Sequence, residues 1–327
     1  MDFQPIMTRI FLCYFLGILS SYAQISGCTD SLSKNFNPDA TSNDGSCLYE
    51  NLKIKPEFTV QLSDSIKETS GLIAFDGLLW THNDDHDKTI YGIDTLGKIK
   101  KRIILDKAVN HDWEEISQDS THLYIGDFGN NASGNRTDLN ILKIEKKSFV
   151  EGNPIIENIS FTYSNQTDFS KHTPNTTNFD CEAFIVSKDS IYLFTKEWKS
   201  SKTTIYSVAN QPGNHIAKFK ETLDTKGLVT GAVFLESKKL IVLCGYSTVG
   251  KSFFYLLYDF KNHDFLSGNK RKINLKLSFH QIEGITTQDG LHYYLTNEAL
   301  VRKPVLNVRQ QIHLLDLSSV LGLYSKD

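Results

Sequence analysis

Between residue 57 and the C-terminus, apolar and polar positions alternate in short runs bounded by Gly, Asn, Asp and Ser. The period is two, and the apolar positions are mostly aromatic or β-branched, which predicts strands rather than helices. Five of these runs can be superposed: Ser70-Gly-Leu-Ile, Glu114-Glu-Ile-Ser, Glu182-Ala-Phe-Ile, Thr230-Gly-Ala-Val and Glu283-Gly-Ile-Thr. Ten positions after each first residue stands Trp80, Tyr124, Tyr192, Leu240 or Tyr293. A constant spacing of this kind predicts one supersecondary unit used repeatedly.

Each pair of strands is followed by a third apolar run, such as Ile90–Asp94, Leu139–Ile144, Thr204–Val208, Phe254–Asp259 and Ile312–Asp316. A fourth strand fits before the next copy, so the unit reads as a propeller blade and the chain as an all-β protein. First positions 70, 114, 182, 230 and 283 give steps of 44, 68, 48 and 53 residues. These match a blade repeat with an insertion in the second copy, where the Asn/Thr-rich stretch 165–178 predicts an extended surface loop. Glu57–Ser63 is left over as a strand, while the final unit lacks its fourth. The N-terminal strand is therefore expected to close the ring, which favours five blades over six.

Residues 1–23 read as an export signal: Arg9, an apolar run from Ile10 to Leu19, then small residues at Ser21 and Ala23. A rival reading takes Ile25-Ser-Gly-Cys28 as a lipoprotein box with an acylated Cys28. Residues 24–50 form a short polar segment bracketed by Cys28 and Cys47, and residues 51–327 form the propeller. An exported compartment permits a Cys28–Cys47 disulfide, worth about 3 kcal/mol by chain entropy. Asp30, Asp39, Asn43 and Asp44 in the loop either ligate calcium weakly or form turns. The Cys, Asn-Pro-Asp-Ala and Asp-Gly-Ser-Cys elements resemble the short GCTD…NPDAT…DGSC modules of exported Bacteroidetes proteins.

Composition changes the picture in two ways. Twenty Phe and fourteen Tyr against seven Pro and two Met suit a sheet-rich interior. A net charge of −3, with basic residues clustered only at Lys98, Lys100, Lys101 and Arg102, argues against a nucleic-acid partner. No segment beyond the signal is long and apolar enough to span a membrane, and a monomer is expected.

Inner strands line a propeller's channel, so lead residues converge on its axis. Glu114, Glu182 and Glu283 are the candidate metal ligands; Ser70 and Thr230 hold the other two lead positions. His82, Asn83, Asp84, Asp112, Asp127, Arg136, Asp180, Lys196, Glu197, Asn297 and Glu298 are expected on the same rim, with His111 and His280 beside them. Three carboxylates about 6 Å apart repel by about 3 kcal/mol per pair at an effective dielectric near 20. Either a calcium ion offsets this, or Lys196, His82, Arg136 or a retained proton does.

Other patterns read as structure. His82–Asp87 is a polar loop, Gly245–Ser252 matches a phosphate-binding loop in letters but precedes a strand, and Cys181 and Cys244 read as buried thiols. Asp112-Trp-Glu-Glu-Ile, Leu123–Asn131, Arg136, Asp180-Cys-Glu-Ala-Phe, Tyr192–Lys196, Gln281-Ile-Glu-Gly-Ile and Thr296-Asn-Glu298 resemble an uncharacterised family of exported bacterial β-propellers. More distantly they are similar to calcium-dependent lactonase and phytase-esterase-like propellers, which implies a channel metal. Two function classes stay open. One is a module binding a small molecule or protein at the channel mouth through an acidic axial pocket. The other is a metal-assisted hydrolase of an ester, lactone or phosphoester.

Overall fold

The computed structural model describes residues 24–322, so the export signal read in residues 1–23 lies outside the described residues. Unit I is an antiparallel sheet of Thr69–Phe75, Leu78–Asn83, Thr89–Ile93 and Ile99–Ile104. Unit II comprises Trp113–Gln118, His122–Asp127, Asn140–Glu145 and Ile156–Tyr163. Unit III comprises Cys181–Val186, Ser190–Thr195, Thr203–Ala209 and Gly213–Leu223. Unit IV comprises Leu228–Leu235, Leu240–Tyr246, Lys251–Tyr258 and Asn269–Ser278. Unit V comprises Ile282–Thr287, His292–Asn297 and Gln311–Asp316, completed by the N-terminal strand Phe58–Gln61, which pairs antiparallel with Gln311–Asp316.

Hydrophobic packing closes these sheets into a ring. Strands buried on both faces must be covered by neighbouring sheets, and five apolar clusters do this, one between each consecutive pair of units. The cluster joining V to I packs Leu62, Ile66 and Ile312 against Leu72, Leu79 and Ile93. The first strands of the units contact one another in the same cyclic order, with V returning to I. Such radial packing of four-stranded sheets is a β-propeller.

Several features were not legible in the repeat. The outer strands of units II and III pair in parallel, Ile159–Tyr163 against Gly213–Ala217, merging the two into one eight-stranded sheet. A helical turn, Lys146–Val150, buries Phe149 edge-on to Trp80 at 5.0 Å. A small hairpin, Leu300–Arg302 with Leu306–Val308, projects from unit V. Lys100, Lys101 and Arg102 of the basic cluster lie on the exposed outer strand Ile99–Ile104 of unit I, the exposed strand expected of them.

Cys28 and Cys47 form a disulfide, the chemistry of an oxidising compartment. The bridge consumes the thiol that lipoprotein acylation would need. The bracketed segment docks on unit IV: Asp30 is buried and accepts from the hydroxyls of Tyr49 at 2.7 Å and Tyr258 at 2.6 Å. Lys53–Ile54 then adds a parallel strand to that unit's edge. Asn43 and Asp44 accept from the N–H groups of Gly45 and Ser46, so these side chains form turns. No helix among the described residues is long and apolar enough to cross a membrane.

Candidate functional site

The lead residues reach the axis through a repeated backbone irregularity. In unit II, Trp113 faces Asp127 and Glu115 faces Gly126, leaving Glu114 as an extra, unpaired residue. The same two-against-one register leaves Glu182 unpaired in unit III, Thr230 in unit IV and Glu283 in unit V. In unit I the shift falls between Ser70 and Ile73. A β-bulge turns the extra side chain away from its ladder position, and here that direction is inward. Ser70 and Thr230 hydrogen-bond the carbonyls of Glu114 and Ile282, stitching their inner strands to the next unit.

Glu114, Asp180 and Glu182 converge, each offering a carboxylate oxygen within 4.8 Å of the other two. All three are buried. Asp180 is held on both oxygens, by the Asn130 N–H at 2.7 Å and the Trp198 indole N–H at 2.7 Å. Gly129 gives the carboxylates room, since a Cβ there would collide with Glu114 Oε1 and Asp112 Oδ2. The run Asp127-Phe-Gly-Asn-Asn131 therefore has a local reason: Phe128 anchors in the core, Gly129 clears space and Asn130 orients Asp180. Glu283 is 6% exposed, and its Oε2 is buried without a hydrogen-bond partner.

One ammonium stands among these acids. Lys196 is 3% exposed, forms an ion pair with Glu182 and lies 4.8 Å from the Trp198 ring centroid and 5.2 Å from that of Tyr246. Burial alone would lower its pKa, but Glu182, followed by Tyr246, Glu283 and Asp180, drives it well above the usual lysine range. The acids move the other way. Burial, then Glu182, Asp112 and Asp180, pushes Glu114 far above the carboxylate range. Burial raises Glu182, Glu283 and Glu298 too, against the pull of Lys196. At the rim, burial and neighbouring carboxylates push Asp84 up to about 7 and Asp112 up to about 6. One lysine thus leaves most of these carboxyl groups to be offset by protons or by a cation.

Glu115 forms the floor. The position after each lead residue is Gly71, Glu115, Ala183, Gly231 and Gly284, small in every unit but the second. The Glu115 side chain crosses into the space the glycines leave, accepting from the Ala232 N–H at 2.9 Å and its neighbour Ile116 N–H at 3.0 Å. A Cβ on Gly71 would come within 2.8 Å of Glu115 Oε1, and one on Gly231 within 3.3 Å of Oε2. This residue was absent from the predicted site, although the aligned column of small residues interrupted by one Glu marks it.

Other predicted rim residues serve the scaffold. Asp127 accepts from Arg136 at 2.9 Å and from His111 Nδ1 at 3.1 Å. Arg136 also bonds Asp138 and the Gly129 carbonyl, so its guanidinium is committed within the loop and does not balance the axial acids. Asn83 caps the Ser65–Asp87 region through Ser65 O, Glu68 N and Asp87. Asn297 ties Glu298 O and Arg309 O to His313. His82 is fully buried edge-on to Trp113, and burial lowers it to about 4, so it is neutral and supplies no compensating charge. Glu197 is held by Thr204 and Ser200. His280 bonds Gln311 at 3.0 Å. The phosphate-loop pattern is the turn between Leu240–Tyr246 and Lys251–Tyr258, with Tyr246 facing Ser252. Cys181 and Cys244 are buried free thiols.

No family model matches this sequence, and no curated protein does. Among solved structures, the chain is similar to the PQQ-bound aldose sugar dehydrogenase of Streptomyces coelicolor, at TM-score 0.47 and 10% identity over 80% of this chain and 97% of that one. It is also similar to a streptogramin B lyase structure, at TM-score 0.40 and 11% identity over 79% and 97%. A chain of a mitotic checkpoint complex gives TM-score 0.39 and 9% identity over 80% and 95%. At such distances nothing about ligand or activity passes from these proteins to this one.

Proposed function

We propose that this chain is an exported, five-bladed β-propeller whose axial carboxylates hold a calcium ion, and that the occupied axis serves a ligand at the channel mouth. In this reading residues 1–23 are removed on export, residues 24–50 are a disulfide-closed module and the remainder is the propeller. The carrying observation is the convergence of Glu114, Asp180 and Glu182 within 4.8 Å in a buried site, beside Glu283 with its Oε2 lacking a donor. A divalent cation offsets the repulsion that Lys196 alone leaves. The donors are carboxylate oxygens without His or Cys, a set suited to a hard cation with flexible coordination.

Thermal unfolding in calcium and in chelator tests this. Calcium at about a hundredfold over its Kd stabilises a native site by about 2.7 kcal/mol, a rise of several degrees in Tm. The gain is expected to vanish in the Glu114→Gln, Glu182→Gln, Glu283→Gln variant, and protein purified without chelators is expected to carry calcium on metal analysis. Identical melting in calcium and chelator, or an undiminished response in the variant, overturns the reading.

A further inference from the structure

A cavity of about 630 Å³ opens beside the axial carboxylates. Its walls come from segments that the blade repeat does not require. The turn after Leu240–Tyr246 contributes Ser247 and Thr248, the segment before the inner strand of unit V contributes Phe279, His280 and Gln281, and the small hairpin contributes Arg302. Asn175 arrives from the insertion of unit II, held at φ 60° with its N–H on Asn131 O at 2.9 Å. Asn tolerates this left-handed conformation better than most residues.

Two aromatic side chains stand between the cavity and the axial site. Trp198 and Tyr246 line it. Trp198 also donates to Asp180 Oδ2, and both rings flank Lys196. Gln281 donates to the Tyr246 hydroxyl at 3.2 Å, which places an amide against the same wall. A ligand in this cavity would touch these aromatic side chains, with the axial carboxylates behind them.

The lining also selects a ligand class. Among the described residues Arg302 is the one Lys or Arg side chain lining the cavity, while Lys196, against the Trp198 and Tyr246 rings, is already paired with Glu182. A single guanidinium gives an anionic ligand little to bind. Amides and hydroxyls that both donate and accept, set beside aromatic rings, match the alternating hydroxyls and C–H faces of a pyranose. We propose that this cavity binds a neutral saccharide of about two rings, with Trp198 and Tyr246 against a sugar face. The proposal goes beyond the axial-cation reading and does not rest on it.

Trp198 reports directly on occupancy. Of three tryptophans, Trp80 and Trp113 are fully buried, leaving Trp198 as the half-exposed one. Cellobiose, maltose and xylobiose are titrated into the full mature chain in calcium and in chelator, with benzoate as an anionic probe, following fluorescence and calorimetric heat. At least one disaccharide is expected to give a saturable signal in calcium, weakened about tenfold by Gln281→Ala. Val249→Trp, on an exposed turn residue whose replacement leaves the core intact, is expected to fill the cavity and abolish binding. No saturable signal from any disaccharide while calcium still raises Tm overturns the saccharide proposal and leaves the axial cation standing. Benzoate binding in place of the sugars also overturns it. Equal disaccharide binding in calcium and chelator upholds the cavity and removes the cation from its recognition.

Discussion

The two ends of the axis are built by the same five strands and have opposite chemistry. At the mouth, bulged lead residues bring Glu114, Glu182 and Glu283 together with Asp180 and Lys196. At the far end, a smaller cavity of about 150 Å³ holds no charged side chain among the described residues: Leu72, Ile116, Val186, Phe234 and Ile285 from the five units line it together with Ser117, Gln118, Thr286 and Thr287. Glu115 lies between, its carboxylate pinned on backbone N–H groups. Strand geometry alone therefore does not make a site. The uncharged end carries no like charge to be offset, whereas the acidic end concentrates like charge that only a cation or protons can offset.

The sharpest way to break this comparison is to remove its boundary. Glu115→Ala orphans the buried N–H groups of Ile116 and Ala232 and opens the floor, an expected loss of about 4 kcal/mol. Thermal unfolding should show a drop of about 10 °C. A loss no greater than that of an ordinary surface substitution would show that the two ends need no partition.

His82 gives a somewhat smaller effect that reports on how far the acidic field reaches. Burial lowers its pKa from the ordinary 6.5 to about 4, so the unfolded chain binds the proton first as pH falls. Its contribution to stability is full above pH 6.5 and is lost as pH falls toward 4, about 3 kcal/mol in all. Denaturant titrations of wild type and His82→Phe between pH 7 and about 4 should diverge by this amount, wild type losing more. Parallel curves would mean that the axial carboxylates hold the imidazole near its ordinary pKa.

The smallest effect belongs to the uncharged end. Ile285→Val removes one buried methylene and is expected to cost about 1 kcal/mol, with the calcium response unchanged. A changed calcium response in this variant would show that the ends are coupled through the inner strands.

How much of this was written in the chain divides along physical lines. The ten-residue spacing between lead and second-strand residues fixed strand order, because period-two burial and a repeated turn are local properties. The closing strand Phe58–Gln61 followed from counting edges. The rim reading separated less cleanly. Asp180 and Lys196 face the axis, while Asp127, Arg136, Asn83 and Asn297 turn into loop scaffolding. Those residues precede or follow strands, and their direction is set by partners far away in sequence, such as Asn130 for Asp180 and His313 for Asn297.

Glu115 shows the limit most clearly. Neighbouring residues on a regular strand face opposite sides, so a reading that sends Glu114 to the axis sends Glu115 away from it. The bulge breaks that alternation and lets both reach inward. The sequence by itself determined a repeated four-stranded unit, its inner-strand acids and its disulfide-bracketed segment, because these rest on local periodicity, spacing and composition. Only the tertiary structure decided which carboxylates meet, which cation stands among them and which loops enclose the adjoining cavity, because each depends on side chains brought together across units by the closure of the ring.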